Sequence, residues 1–348
     1  CNLTNANLTN ANLTGATLID ATLTGAITTG STISSAILTP LSVLLFDGAD
    51  DAVNVGIPTW TYSTQFRTTM TVECWFKTSD TSNQKVYTVL VGRNRTTGNS
   101  AESQFSINMA STGEIGFRLT NTADTGSTHT TSAAYKDTNW HHVACTYNSA
   151  TGVKVIYIDG VVTRTDTVNG FGLLSNNTSQ KLIFGSDAYG VDVGGSDRQF
   201  RGSLSDVRIW NVVRSAADIS NNYRQRLVGN ETGLLGYWKL NHGYGTGWGS
   251  YSTASDSTNN RAHGTLTNFG SPSTSWTLSN LYFRPRISNI VLGPYNGSYG
   301  ILDASFSFVD PSSNSLGDFT YSINSLSVTL SNGAATRKTI YATSGAIT

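Results

Sequence analysis

Val153-Lys-Val-Ile-Tyr-Ile-Asp-Gly-Val-Val-Thr163 sets Asp159-Gly160 between two runs of β-branched and aromatic residues. A two-residue connection between antiparallel strands favours a type I′ turn, which needs positive φ at both central positions, and Asp-Gly supplies them at low strain. The stretch reads as a hairpin, and its period of two recurs on both sides. Leu44–Phe46, Thr71–Phe76, Val86–Val91, Phe105–Met109, Gly116–Leu119, His142–Tyr147 and Val207–Trp210 are short alternating runs parted by Gly, Asn, Asp and Ser clusters. That is an all-β layout. One brief helix is expected at 215–220, where Ser215 can cap and Asp218 sits in the first turn.

Before residue 41 the period is five. Cys1-Asn-Leu-Thr-Asn, Ala6-Asn-Leu-Thr-Asn, Ala11-Asn-Leu-Thr-Gly, Ala16-Thr-Leu-Ile-Asp and Ala21-Thr-Leu-Thr-Gly keep a small residue and a leucine at fixed offsets, and the register fades before Pro40. Such an array buries its leucines only by stacking one coil on the next, so the native protein is expected to extend upstream.

Across 348 residues, charged side chains make up 13% and Lys+Arg balance Asp+Glu at 22 each. A neutral chain without a basic stripe excludes nucleic acid as a partner reached by a strong field. No segment has the length of a membrane span. Three cysteines are too few for a disulfide scaffold; Cys74 and Cys145 lie in strand-like runs, as two buried thiols or as a bridged pair. Asn-x-Ser/Thr triplets at Asn94, Asn176, Asn177, Asn230 and Asn296 are what chance gives in a chain this rich in Asn, Ser and Thr.

The five-residue pattern resembles the pentapeptide-repeat family, which implies a right-handed quadrilateral β-helix over residues 1–40. Phe46-Asp-Gly-Ala-Asp-Asp51, Thr71-Val-Glu-Cys-Trp-Phe-Lys77, Trp140-His-His-Val-Ala144, Ile156-Tyr-Ile-Asp-Gly160 and Gly202-Ser-Leu-Ser-Asp-Val-Arg-Ile-Trp-Asn211 resemble, in order, the laminin G-like branch of the concanavalin A-like lectin/glucanase superfamily. That resemblance implies a jelly-roll sandwich over residues 41–280. Residues 281–348, with five strand-like runs, resemble an immunoglobulin-like or cadherin-like β-sandwich domain, here incomplete or small. The chain is thus expected to be all-β, in three parts.

The glucan-cleaving relatives use two glutamates on one strand, whereas Glu73, Glu102, Glu114 and Glu231 stand apart in this chain. The two-carboxylate mechanism therefore lacks its pair, and no hydrolase activity is expected. His141-His142 does not form a chelate, because neighbours on a strand face opposite ways. The superfamily resemblance implies a structural Ca²⁺ held by Asp206 with Asp47 or Gly48 near the opening strand. A glycan site is expected on two loops that combine aromatic and polar side chains, with Asp187, Tyr189, Asp192 and Arg198 on one and Trp248 and Tyr251 on the other. The resulting expectation is a non-catalytic adhesion or glycan-binding protein, a lectin-like module on a solenoid stalk, extracellular, at a cell or virion surface. The alternative is a purely structural subunit that contacts its neighbours in such an assembly.

Overall fold

The computed structural model describes residue 7 and residues 42–79, 87–94, 103–187, 198–241, 252–270, 275–278, 286–292, 304–309, 326–328 and 338–340. The expected β-helix of residues 1–40 lies outside the described residues, residue 7 excepted.

Two antiparallel sheets of eight strands each form a sandwich. In chain order the strands are β1 (Ser42–Asp47), β2 (Ala52–Gly56), β3 (Thr69–Thr78), β4 (Tyr87–Asn94), β5 (Phe105–Ala110), β6 (Glu114–Thr120), β7 (Gly126–Ala134) and β8 (His141–Asn148). There follow β9 (Val153–Ile158), β10 (Val161–Thr167), β11 (Lys181–Phe184), β12 (Arg201–Trp210), β13 (Leu234–Trp238), β14 (Thr253–Ala254), β15 (Gly264–Thr267) and β16 (Trp276–Leu278). The first sheet runs β10-β9-β8-β3-β12-β1-β16, with β13 also on β12, and the second runs β14-β15-β2-β11-β4-β5-β6-β7. Strands distant in sequence are neighbours in both sheets, as a jelly roll requires.

Alternation builds the core. Val72, Cys74 and Phe76 of β3, with Leu204, Val207 and Ile209 of β12, point inward against Leu90, Phe105, Ile107, Phe117 and Leu119 of the second sheet, all without exposure. The hairpin turns as its sequence demands: Asp159 and Gly160 both have positive φ, and Val161 pairs with Ile158. β7 escapes a reading by period, since Gly126-Ser-Thr-His-Thr-Thr-Ser-Ala-Ala134 is almost wholly polar; it forms because β6 offers an edge to pair with.

The outer face of the first sheet is covered as well. Helix α1 (Thr64–Thr68) precedes β3, and α2 (Ala216–Asn222) follows β12, its Ser215 and Asp218 completing a reciprocal capping box. Ile219 of α2 packs on Ala144 and Tyr157, while Trp75 and Val43 pack with Trp140 and Tyr223. Cys74 and Cys145 are free, buried thiols. Cys74 pairs with Val143 and Cys145 with Val72, a diagonal relation in the ladder.

Towards the C-terminus, β17 (Arg286–Leu292) pairs with β18 (Ala304–Val309), and β19 (Leu326–Val328) with β20 (Lys338–Ile340). The chain divides into units 1–312 and 313–348. The expected strand at 319–323 lies outside the described residues.

Candidate functional site

The outward side chains of β3, β8 and β12 form a buried ionic cluster. Glu73 lies 3.2 Å from Arg214 Nη1, 3.3 Å from His142 Nε2 and 3.7 Å from Arg208 Nη1. Burial alone would raise the Glu73 carboxyl, but the contacts with His142, Arg208 and Arg214 outweigh it and hold it down at about 2. Asp206 belongs to the same cluster. A bulge between Ser205 and Arg208, with Asp206 at φ 48°, turns its carboxylate to the Tyr237 hydroxyl (2.5 Å) and Ser205 Oγ (3.0 Å), with Arg226 at 3.6 Å and Arg208 at 3.7 Å.

The structure does not bring the expected ligands Asp206 and Asp47 or Gly48 together. Asp47 pairs with Arg201 and Leu44 with Leu204, so Asp206 lies five residues along β12 from the partner of Asp47, roughly 16 Å at about 3.3 Å per residue. Two guanidinium groups already balance its charge.

The carboxylates that do meet stand at the end of β1. Single oxygens of Asp47, Asp50 and Asp51 lie within 4.8 Å of one another. Asp47 Oδ1 accepts from the Ala49 N–H and Asp51 Oδ2 from the Asp47 N–H, whereas Asp51 Oδ1 is buried without a hydrogen-bond partner. Burial is the main cause, and the charges of Asp47 and Asp50 a lesser one, that push the Asp51 carboxyl up to about 7 despite the Asp47 N–H. Gly48 shapes the corner: its φ is +79°, and a Cβ there would stand 2.7 Å from Arg201 Cβ. A crowded corner of hard oxygens fits a divalent cation. The sequence signal for it was the run Asp47-Gly-Ala-Asp-Asp51 itself.

Of the expected glycan residues, the structure brings Asp187 and Arg198 together at 3.6 Å. Tyr189, Asp192, Trp248 and Tyr251 lie outside the described residues. Gly185 follows β11 ahead of Asp187, and a Cβ there would overlap the Phe46 ring at 2.1 Å. Arg198 O accepts from Val89 N at 2.9 Å. Sequence reading missed Arg118 of β6. Its guanidinium is lowered by burial first and by the charge of Arg198 second. Its Nε is buried without a hydrogen-bond partner, and its Nη1 reaches Thr128 Oγ1 only at 3.4 Å. Arg118 thus feels the charge of Arg198, the partner of Asp187. No motif marks Arg118; the pairing of β5, β6 and β7 places it.

The two histidines face opposite ways. His141 Nδ1 lies 2.8 Å from Asp159 Oδ2 and Nε2 lies 3.1 Å from Asp137 Oδ1, whereas His142 packs edge-on to Trp75 on the outer side. With both nitrogens of His141 occupied, the ring clamps the hairpin turn to the segment before β8.

A family model described as the concanavalin A-like lectin/glucanases superfamily matches residues 47–220, half of the chain, and pentapeptide repeats match residues 1–39 in 8 copies. No curated protein matches the sequence. Among solved structures, the chain is similar to a putative carbohydrate binding protein from Bacteroides ovatus, at 19% identity and a TM-score of 0.52, over 69% of this chain and 60% of that one. It therefore spans somewhat less than two thirds of that relative. Lower similarity is found to a SAP-like pentraxin from Limulus polyphemus (16% identity, TM-score 0.40, 53% of this chain and 81% of that one). The CBM40 module of a Ruminococcus gnavus IT-sialidase is at a similar level (16%, 0.42, 52% and 97%). These last two add nothing to the argument for the fold. With its two-sheet sandwich and the match over residues 47–220, the chain belongs to the concanavalin A-like lectin/glucanases superfamily, behind a run of pentapeptide repeats.

Proposed function

We propose that this is a non-catalytic glycan-binding protein, with the jelly roll as the binding module and the repeats as its stalk at a cell or virion surface. The observation that carries the reading is the Asp187–Arg198 ion pair at 3.6 Å, at the neck of a loop rich in Gly and Asp that also holds Tyr189. Arg118 stands by with unsatisfied donor capacity. Paired carboxylate and guanidinium groups offer acceptor and donor together, which is what sugar hydroxyls need. The fold shared with a putative carbohydrate binding protein supports the same reading.

Catalysis by a carboxylate pair finds little support. Glu73 is sealed among cations, and Glu231 accepts from the Val228 and Gly229 N–H groups. The measurement that tests the reading is a glycan array probed with the full chain. Arg198→Ala and Asp187→Ala are expected to weaken any hit by tenfold or more with circular dichroism unchanged. An array without a hit, or variants that bind like the wild type, would favour the purely structural subunit.

A calcium ion at Asp47, Asp50 and Asp51 belongs to the same proposal. It would relieve the repulsion among the three carboxylates and give Asp51 Oδ1 a partner. Calcium at a hundredfold its dissociation constant would add about 2.7 kcal/mol. Chelation is then expected to lower the melting temperature, and Asp50→Asn, an exposed change, to shrink that difference. Identical melting in calcium and in chelator would sink the metal.

A further inference from the structure

A cavity of about 320 Å³ opens between the end of β12, helix α2 and the segment that follows it. Its size is at the lower end of small-molecule pockets, about 300 Å³ upward. Trp210 and Arg214 form one wall, Asn222 and Gln225 another, and Leu227 with Val212 supplies apolar surface. The guanidinium of Arg214 lies over the Trp210 ring, 4.2 Å from its centre. That ring face is taken, so a ligand meets the pocket through polar edges rather than by stacking there.

Arg214, Asp218, Arg226 and Glu231 are the charged groups around the cavity, and each is engaged within the protein, Arg226 by the Asp206 carboxylate at 3.6 Å. Arg214 reaches Glu73 Oε1 at 3.2 Å and the Asp218 carbonyl at 3.3 Å. The Asp218 carboxylate accepts from Ser215 N and Oγ, and that of Glu231 from the Val228 and Gly229 N–H groups. The neutral groups differ. Asn222 Nδ2 donates to the Asp218 carbonyl and Gln225 Nε2 to that of Asn221, which leaves both amide oxygens as acceptors. Trp210, only 4% exposed, has its indole N–H buried with no acceptor. A buried indole N–H ordinarily finds one.

From this set, an unmatched indole donor and two amide acceptors beside ionic groups that are already paired, we infer that the cavity is a second ligand site, for a neutral hydroxylated molecule of about one sugar ring. A hydroxyl both donates and accepts, so it suits a wall of amides and an indole; an ionic ligand finds no spare counter-charge. The indole N–H is closed to solvent in this structure, so binding through it requires a wall side chain to move. The site does not rest on the glycan reading of Asp187, which follows β11 of the second sheet.

The test reads the site directly, by the indole ¹H–¹⁵N resonance of Trp210 in the full chain, assigned by its loss in Trp210→Phe. Glucose, galactose and N-acetylglucosamine are titrated, with sodium acetate as the ionic comparison. At least one neutral sugar is expected to move the resonance saturably, and acetate not to. Trp210→Phe keeps an aromatic ring, smaller than the indole, and removes the donor, and should weaken that sugar roughly tenfold, the worth of one hydrogen bond. Gln225→Ala, on the rim, should weaken it several-fold without touching the ring stack. The inference falls if no neutral sugar gives a saturable shift, if acetate moves the resonance as strongly, or if both variants, folded by circular dichroism, bind like the wild type.

Discussion

At residue scale the chain hides its charges in pairs, and the pairs set its response to mutation and pH. Glu73 faces Arg208, Arg214 and His142 with no exposure. Glu73→Gln strips buried Arg214 of its carboxylate partner and Arg208 of one of its two, and should cost about 3–5 kcal/mol, read as a lower urea midpoint at unchanged slope. Because the Glu73 carboxyl is lowered from 4.5 to about 2, its contribution is full above its ordinary value and is lost as pH falls between the two. His141 works the other way. Burial opposes its charge, but Asp159 and Asp137 outweigh that and raise it. Its contribution is full below the ordinary imidazole range and fades as pH rises through the raised value. The melting temperature of His141→Gln should therefore trail the wild type most in mildly acid solution and least in alkaline solution. An equal gap at every pH would show that the ring matters by packing alone. A period-two reading could say that the two histidines part company across the strand, but not that Asp137 and Asp159 wait on one side and Glu73 on the other.

At the scale of elements, caps and turns were legible because their chemistry is local. Ser215 and Asp218 form the capping box that the spacing suggested, and Asp159-Gly160 makes the hairpin turn. Ser215→Ala should cost about 1 kcal/mol. The loss should appear as faster hydrogen exchange in α2, with the strands of the second sheet unaffected. Gly160 has a second constraint: its φ is +82°, and a Cβ would sit 3.0 Å from the Tyr223 ring. Gly160→Val combines left-handed strain with that contact, so it should destabilise more than the 1–2 kcal/mol or so of a left-handed L-residue alone. A Gly160→Val protein as stable as the wild type would show that the turn can remodel. The bulge at Asp206 was not legible. The alternation placed Asp206 and Arg208 on one face correctly, yet the extra residue in β12 and the long-range partners Tyr237 and Arg226 decided that this face is closed.

For the whole molecule, the paired strands of both large sheets fall between Ser42 and Leu278. A chain lacking residues 1–40 and everything after Leu278 should keep one cooperative unfolding transition. A cut before Trp276 should not match it, since Trp276 is 2% exposed, sits in the core and pairs with Leu44. Losing so large a core side chain costs about 3–5 kcal/mol. If the shorter fragment melts like the longer one, β16 is an ornament of the sheet. The sequence alone determined the all-β class, the change of period at residue 41, the hairpin, the helix cap and the family phrases, because each depends on neighbours within a few residues. Tertiary structure alone decided which carboxylates meet. Asp206 is drawn into the buried ionic cluster of Glu73, Arg208 and Arg226, and Arg118 comes within range of the Arg198 charge. Those outcomes follow from strand register between segments tens of residues apart, where one extra residue in a ladder redirects every side chain beyond it.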